Sequence, residues 1–292
     1  MSNINTLEEK LPTHPVEARV RQYGVKRLPV TLIIGATITL LVVMMALLAP
    51  ILATHDPLAQ DLANQLSVPS LQHLLGTDYL GRDVWSRLLY GARTDLRIAF
   101  FAALFPALTG TLIGCLLGFT GGRLLWLLLR IADCLIAFPF YLVVLIVVFA
   151  FGSGEIGIYV AFATVGWIPY VRIMSTATQA AKNQEWALAA QAAGLSRWRV
   201  IRVHIMPNVI AQPIIMFVAD MVYVIVAIIT LGYLGLGIQP PTPDWGSMIA
   251  DGQSFVTTLW WIPVIPGIAV LITGIGLSFL ADGLTQLLRP DA

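Results

Sequence analysis

The stretch Asn183–Asn208, NQEWALAAQAAGLSRWRVIRVHIMPN, is a polar, arginine-bearing island between long apolar runs. Lipid gives such a segment no support, because charged side chains are expensive at bilayer depth. It therefore belongs in water, and its composition suits contact with a partner there. Ala187, Ala189, Ala190, Ala192, Ala193 and Gly194 let another surface approach closely, while Arg197, Arg199 and Arg202 supply positive charge. Glu185 to Ala193 is rich in alanine, the strongest helix former. Gly194 interrupts the run and can take backbone conformations that a Cβ resists. Ser196 is placed to cap a second helical segment reaching Ile205. Pro207 suits the start of the helix that follows. The expected product is a helix, a glycine turn and a second helix entering the membrane: an elbow that can be pushed from below. An ordinary solvated loop is the competing reading of the same residues.

The flanking apolar runs set the class. Only 11% of the 292 residues are charged and 58% are hydrophobic, against roughly 25% charged in a soluble domain. Mean hydropathy is +0.82. Runs of about 20 apolar residues cross a bilayer as helices, so the expectation is an all-α polytopic membrane protein. Six spans are predicted, at about 30–52, 97–119, 125–150, 156–177, 209–237 and 262–286. The fourth contains Pro169 and Arg172. Basic residues favour the cytoplasmic side. With both termini there, the inner segments hold Arg19, Arg21, Lys26, Arg27, Arg123, Arg130, Lys182, Arg197, Arg199, Arg202 and Arg289. The outer segments are instead rich in acid, from Asp56 and Asp61 to Asp244 and Asp251. The polar first 29 residues lack the apolar core of a signal peptide and read as a cytoplasmic tail. A net charge of +1 gives no reason to expect a nucleic-acid partner.

Two outer loops look structured. In residues 53–96, Asp83 precedes a helix-compatible run and is placed to cap it. In residues 238–261, Pro240, Pro241 and Pro243 end the fifth span. Trp245, Trp260 and Trp261 fit the interfacial belt where indoles sit at headgroup depth. Cys115 and Cys134 fall inside spans and read as small buried hydrophobes. No phosphate loop, H-e-x-x-H or C-x-x-C pattern occurs, and none of His14, His55, His73 and His204 lies in a span. No metal site, catalytic residue or cofactor of its own is expected.

Asp133, Asp220 and Asp282 stand in apolar sequence. Asp133 follows Arg130 by three residues, which suits a local ion pair. Asp282 reads as structural, and Arg172 can reach the headgroups. Asp220 is the deepest. It is either a pathway group meeting a cationic or peptide substrate, a proton site, or a structural carboxylate bonded to a neighbouring helix. The run Leu231–Gly237 closes span five, as close helix packing or as an outer gate.

Ala189-Ala190, Gly194 and His204-Ile205-Met206-Pro207-Asn208 together resemble the "EAA" loop of ABC importer permeases. Three further blocks resemble the dipeptide, oligopeptide and nickel branch, specifically its second, C-type, permease. They are Leu75–Leu96, Leu231–Gly252 and Phe279–Asp291. The likeness covers the chain from the first span onward. Leu188 stands where the loop pattern has Glu, and Met206 where it usually has Leu.

The resemblance implies a type I ABC importer transmembrane fold with about six helices. It implies a tail (1–29), a first helix with outer loop (30–96) and a permease core (97–292) containing a coupling loop at 183–208. Glu185, Ala189, Ala190, Gly194, Leu195, Arg197, His204, Pro207 and Asn208 would form the surface docked in a groove of a cytoplasmic ATPase. The implied partners are a homologous second permease, two ATPase subunits (or one dual pair) carrying the ATP-Mg, and an extracytoplasmic solute-binding protein on the outer loops. The implied place is the bacterial inner membrane, and the implied cargo is di- and oligopeptides. Nickel or metal-chelate uptake is the alternative within the branch. An ion-gradient-driven secondary transporter using Asp220, and a non-transport membrane scaffold, are the alternatives outside it. Moving two states from 1:99 to 99:1 takes about 5.5 kcal/mol of differential binding, which a docked helix with several charged contacts can transmit.

Overall fold

The computed structural model describes residues 28–288, and among them there are helices and loops, one isolated antiparallel bridge from Thr77 to Asp83, and no β-strand. The expected tail with Arg19, Arg21, Lys26 and Arg27, the histidine at 14, and Arg289 lie outside the described residues. In chain order the α-helices are α1 (Val30–Leu47), α2 (Ala49–Leu52), α3 (Val84–Thr120), α4 (Gly122–Ile136), α5 (Phe140–Phe151), α6 (Glu155–Val165) and α7 (Trp167–Lys182). They continue as α8 (Glu185–Ala192), α9 (Arg197–Arg199), α10 (Met206–Val209), α11 (Ala211–Tyr233), α12 (Trp245–Gly252) and α13 (Trp261–Leu288). Five units are long and apolar enough to cross a membrane: α1, α3, α6 with α7, α11, and α13; α4 with α5 makes a sixth if that bent pair is one span.

That pair corrects the predicted third span. Residues 125–150 are not one rod: α4 and α5 meet at a bend of 91°. Pro139 lies at the break, where it removes a helix-bonding N–H and disfavours helical backbone in the residue before it. α3 is also longer than its predicted span. It begins at Val84 and is uninterrupted through residues 96 and 97, where the sequence reading divides outer loop from core.

Helix packing relies on glycines. Gly110, Gly114 and Gly118 form a stripe on α3 facing α7. A Cβ on Gly110 would lie 2.6 Å from the Trp167 carbonyl oxygen, one on Gly114 2.8 Å from the Met174 Cβ, and one on Gly118 2.7 Å from the Ser175 Cα. Helices approach this closely only where side chains are missing. α1 and α13 pack antiparallel: Gly35 abuts Leu280, and Gly283 abuts Leu32, so the two described ends of the chain lie together.

At the opposite end of α3 the two long loops are stitched into one lobe. Asp83 caps α3 as expected, accepting from the Ser86 N–H at 2.8 Å. Arg82, almost fully buried, pairs with Asp78 at 2.6 Å and with Asp251, from the second loop, at 3.3 Å. Asp244 caps α12 through the Ser247 N–H at 3.0 Å. Trp245 does not sit in an interfacial belt. It is buried, with Nε1 donating to the Leu88 carbonyl at 3.0 Å and its backbone N–H donating to Asp95 at 3.0 Å. The indole finds its polar partner inside the lobe, so it has no need of the headgroup layer. Trp260 is exposed, as expected.

Candidate functional sites: an elbow and a cavity

The island at 183–208 folds as an elbow. α8 is one short helix of eight residues. Ala187 and Ala190 turn inward and are buried, while Glu185, Trp186, Leu188 and Ala189 face out. Gln191 ties α8 back on itself through the Ala187 carbonyl at 3.1 Å. Gly194 then takes φ +78°, a left-handed conformation that suits a helix C-terminus and favours glycine. The chain reverses there, with the Gly194 N–H donating to Gln191 at 3.0 Å. Leu195 returns to the core. Ser196 caps α9 through the Arg199 N–H at 3.4 Å. Val200–Ile205 is π-helical rather than α-helical, and it runs directly into α10, where Pro207 occupies the first turn. Asn208 secures this join, donating to the His204 carbonyl at 2.6 Å.

The elbow is bolted to the bundle on its inner side and bare on its outer side. Val200, Ile201, Ile205 and Val209 are buried with Cys115 and Phe119 of α3 and Met174 of α7, and Ala190 and Leu195 join them. Lys182 adds a bond to the Phe119 carbonyl at 2.9 Å. On the outer side Trp186, Leu188 and Trp198 are 40%, 51% and 60% exposed, and Arg197, Arg199 and Arg202 stand beside them. Apolar side chains ringed by cations on a tightly anchored projection are the features of a docking surface.

The second site is a cavity of about 610 Å³ at the α4–α5 break. Phe138, Pro139 and Phe140 line one side, Phe162 and Pro169 another, and α11 supplies Met216, Asp220, Tyr223 and Val224. Those four α11 positions share one helix face. The wall is apolar apart from Asp220 and the hydroxyls of Tyr141 and Tyr223. Asp220 lies beside the buried hydroxyl of Tyr170 on α7, its polar neighbour in the bundle.

The other ionisable residues fall out differently. Asp133 pairs with Arg130 at 3.1 Å, as the spacing predicts, and also with Arg172. Arg172 thus turns to a carboxylate on α4, a charged partner within its reach. Asp282 is exposed, and Cys134 is exposed on α4 rather than buried. Only Cys115 fits the buried-hydrophobe expectation. In the loop lobe the fold brings together three residues that sequence spacing does not connect. The His55 and His73 rings stack at 4.5 Å, and their Nδ1 atoms lie 3.8 and 2.9 Å from one oxygen of Asp83. The other Asp83 oxygen accepts from Ser86, so the carboxylate is occupied within the chain.

A bundle of membrane-crossing helices with an anchored polar elbow and an internal cavity defines a multi-pass transport component. Comparison with known proteins supplies the family. Residues 110–292 match the family described as "Binding-protein-dependent transport system inner membrane component". The chain belongs to this family of inner-membrane permeases. It is 35% identical over 258 residues (88% of this chain, 87% of the relative) to the "Probable D,D-dipeptide transport system permease protein DdpC" of Escherichia coli (strain K12). It is 35% identical over 262 residues (88% and 86%) to the "Di/tripeptide transport system permease protein DppC" of Pseudomonas aeruginosa (strain UCBPP-PA14). The figure is again 35%, over 257 residues (88% and 84%), for the "Oligopeptide transport system permease protein OppC" of Bacillus subtilis (strain 168).

Proposed function

We propose that this chain is one permease half of a peptide importer whose driving force enters through the elbow at 183–208. The observation that carries the reading is the two-sidedness of that elbow: Ala187, Ala190, Val200 and Ile205 buried inward, Trp186, Leu188, Trp198 and three arginines bare outward. An ATPase groove with acidic and apolar lining fits that outer face. Glu185, Ala189, Ala190, Gly194, Leu195, Arg197, His204, Pro207 and Asn208 then divide by task. Glu185, Ala189 and Arg197 meet the partner. Ala190 and Leu195 anchor α8, Gly194 sets the turn, and His204, Pro207 and Asn208 build the join to α10.

The orientation puts the elbow and both termini in the cytoplasm and the loop lobe outside, as a binding-protein platform. A second permease completes the pathway, and two ATPases hold the ATP-Mg, so this chain binds no cofactor of its own. The tail, first-helix and core divisions at 29/30 and 96/97 are carried in this scheme as sequence divisions. ATP closure of the ATPases shifts the bundle between inward-open and outward-open states, which is alternating access. Relatives named for peptides favour peptide cargo over nickel. Family membership sets aside the scaffold and ion-gradient readings.

The test is reconstitution of this chain with a second permease, the ATPases and the binding protein in liposomes. ATP-dependent accumulation of a labelled dipeptide is expected. Uptake by the chain without ATPases, driven by a pH or sodium difference, would overturn the proposal.

A further inference from the structure

We infer that the cavity at the α4–α5 break binds the ammonium group of the cargo, and that Asp220 is its counter-charge. The inference rests on the importer reading above and adds what the pathway selects.

Three observations meet at one place. Asp220 is the tenth residue of the 23-residue α11, roughly 14 Å along a helix of about 34 Å, which is mid-membrane depth. It is the one charged side chain in the wall of a cavity otherwise lined by carbon and two phenol hydroxyls. Among the described residues it has no salt bridge; its polar neighbour, the buried Tyr170 hydroxyl of α7, is neutral and leaves the charge unmatched. Asp133, another carboxylate in apolar sequence, has two arginines. A carboxylate without a counter-charge at this depth is costly, so the structure leaves that counter-charge to be supplied from outside the chain.

The rest of the wall says what kind of partner. Phe138, Phe140, Tyr141 and Tyr223 are all more than a third exposed and edge the same cavity. Aromatic faces attract cations and repel anions. Carboxylate and rings together select a primary ammonium on an apolar body, as in a peptide with a free N-terminal amine. They disfavour the N-acylated form of the same peptide, which offers an amide and no charge. The cavity volume suits a small ligand; sites for such ligands run from about 300 to 1,000 Å³.

Tyr223 lies one turn beyond Asp220 on the same face, so a Tyr223→Cys reporter leaves the carboxylate intact. The experiment uses the whole transporter in nanodiscs, with Cys134→Ser to silence the exposed thiol. With each rate normalised to that of the same reagent on a free thiol in solution, modification by a cationic aminoethyl thiosulfonate is expected to be about tenfold faster than by its anionic sulfonate analogue, since a nearby charge of this kind is worth more than 1.4 kcal/mol at low effective dielectric. Adding Asp220→Asn is expected to bring the ratio to about one. An alanyl-phenylalanine dipeptide should protect the reporter at about tenfold lower concentration than its N-acetyl form, and Asp220→Asn should erase that difference.

A charge preference untouched by Asp220→Asn, or equal protection by both peptides, overturns the inference. So does a reporter closed to both reagents in every nucleotide state, which would assign the carboxylate to the second permease. Loss of all uptake in Asp220→Asn with the charge ratio unchanged overturns it in favour of a proton site. ATP-dependent uptake by the parent transporter is measured alongside. If that persists while the ammonium test fails, the importer reading stands alone; if it is absent, the importer reading itself has failed.

Discussion

Gly194 offers the sharpest perturbation of the elbow, because its two possible constraints separate. Its φ is +78°, and a Cβ built there meets nothing within 4 Å. Within this chain the position is therefore constrained by backbone conformation alone. A left-handed residue with a Cβ costs roughly 1–2 kcal/mol, with Asn and Asp least penalised. That is a factor of about 5–30 in the population of correctly set elbows. Fraying would release the Gly194-to-Gln191 bond and withdraw Leu195 from the core it shares with Ala190 and Val200. The assay is peptide imported per ATP hydrolysed, in the reconstituted transporter. Gly194→Asn should lose least, Gly194→Ala more, and Gly194→Val most, because β-branched residues are outliers at positive φ. If Ala matches Gly, backbone conformation is irrelevant and the elbow argument fails. If Asn is worse than Ala, side-chain size governs, and the partner surface rather than the turn sets the requirement.

Other expectations follow from the packing. Gly114→Ala forces a Cβ to within 2.8 Å of Met174 and Val171 and should lower stability by about 1–3 kcal/mol. Gly267→Ala, which meets nothing within 4 Å, should raise it by roughly 0.5–1 kcal/mol; the same thermal melt reads both, and equal signs would contradict the packing. Asp133→Asn removes a carboxylate whose ion pairs are about 40–60% exposed, so it should cost no more than about 1 kcal/mol and lose its effect in high salt. Asp244 is held above its usual range by burial. Its contribution is fully present below the unfolded value near 3.8 and is lost as pH rises through the raised one. Hydrogen exchange of α12, corrected for intrinsic rates, should therefore slow on acidification, and Asp244→Asn should weaken that dependence while keeping an oxygen for the cap.

Much of this was open to reading because it is local. Apolar length gave the spans, and Asp83, Ser196 and Gly194 declared their caps and turn through residue type alone. What stayed hidden depends on partners remote in sequence. Trp245 looked interfacial because nothing nearby in the chain reveals that Leu88 and Asp95 will receive it. Arg172 looked free to snorkel because Asp133 lies 39 residues away. His55, His73 and Asp83 meet only once the outer loop folds. The α4–α5 break was missed for a different reason. Pro139 was visible, but hydropathy averages across a proline, and the apolar run continues on both sides. The cavity followed it out of sight, since residues of that break form part of its wall. Asp220 stood out in the sequence, yet its lack of a cationic partner among the described residues is a fact of three dimensions.

The elbow and the cavity are joined by the same two helices. α7 enters the elbow at Lys182, and α10 leads out of it into α11. Ile168 and Pro169, at the far end of α7, and Gly166 just before it line the cavity, with Met216, Asp220 and Tyr223 of α11 also in its wall. Between the two sites α7 is held against the glycine stripe of α3, with backbone close to backbone and few flexible side chains to absorb displacement. Close-packed interfaces shift between discrete arrangements rather than deform continuously. A push on α8 therefore has two rigid exits, and both end at the cavity wall. Relative motion of α7 and α11 changes the space around Asp220 whichever helix moves further. Under the proposed coupling, that geometry would let the outer face of the elbow control access to the Asp220 carboxylate a helix-length away.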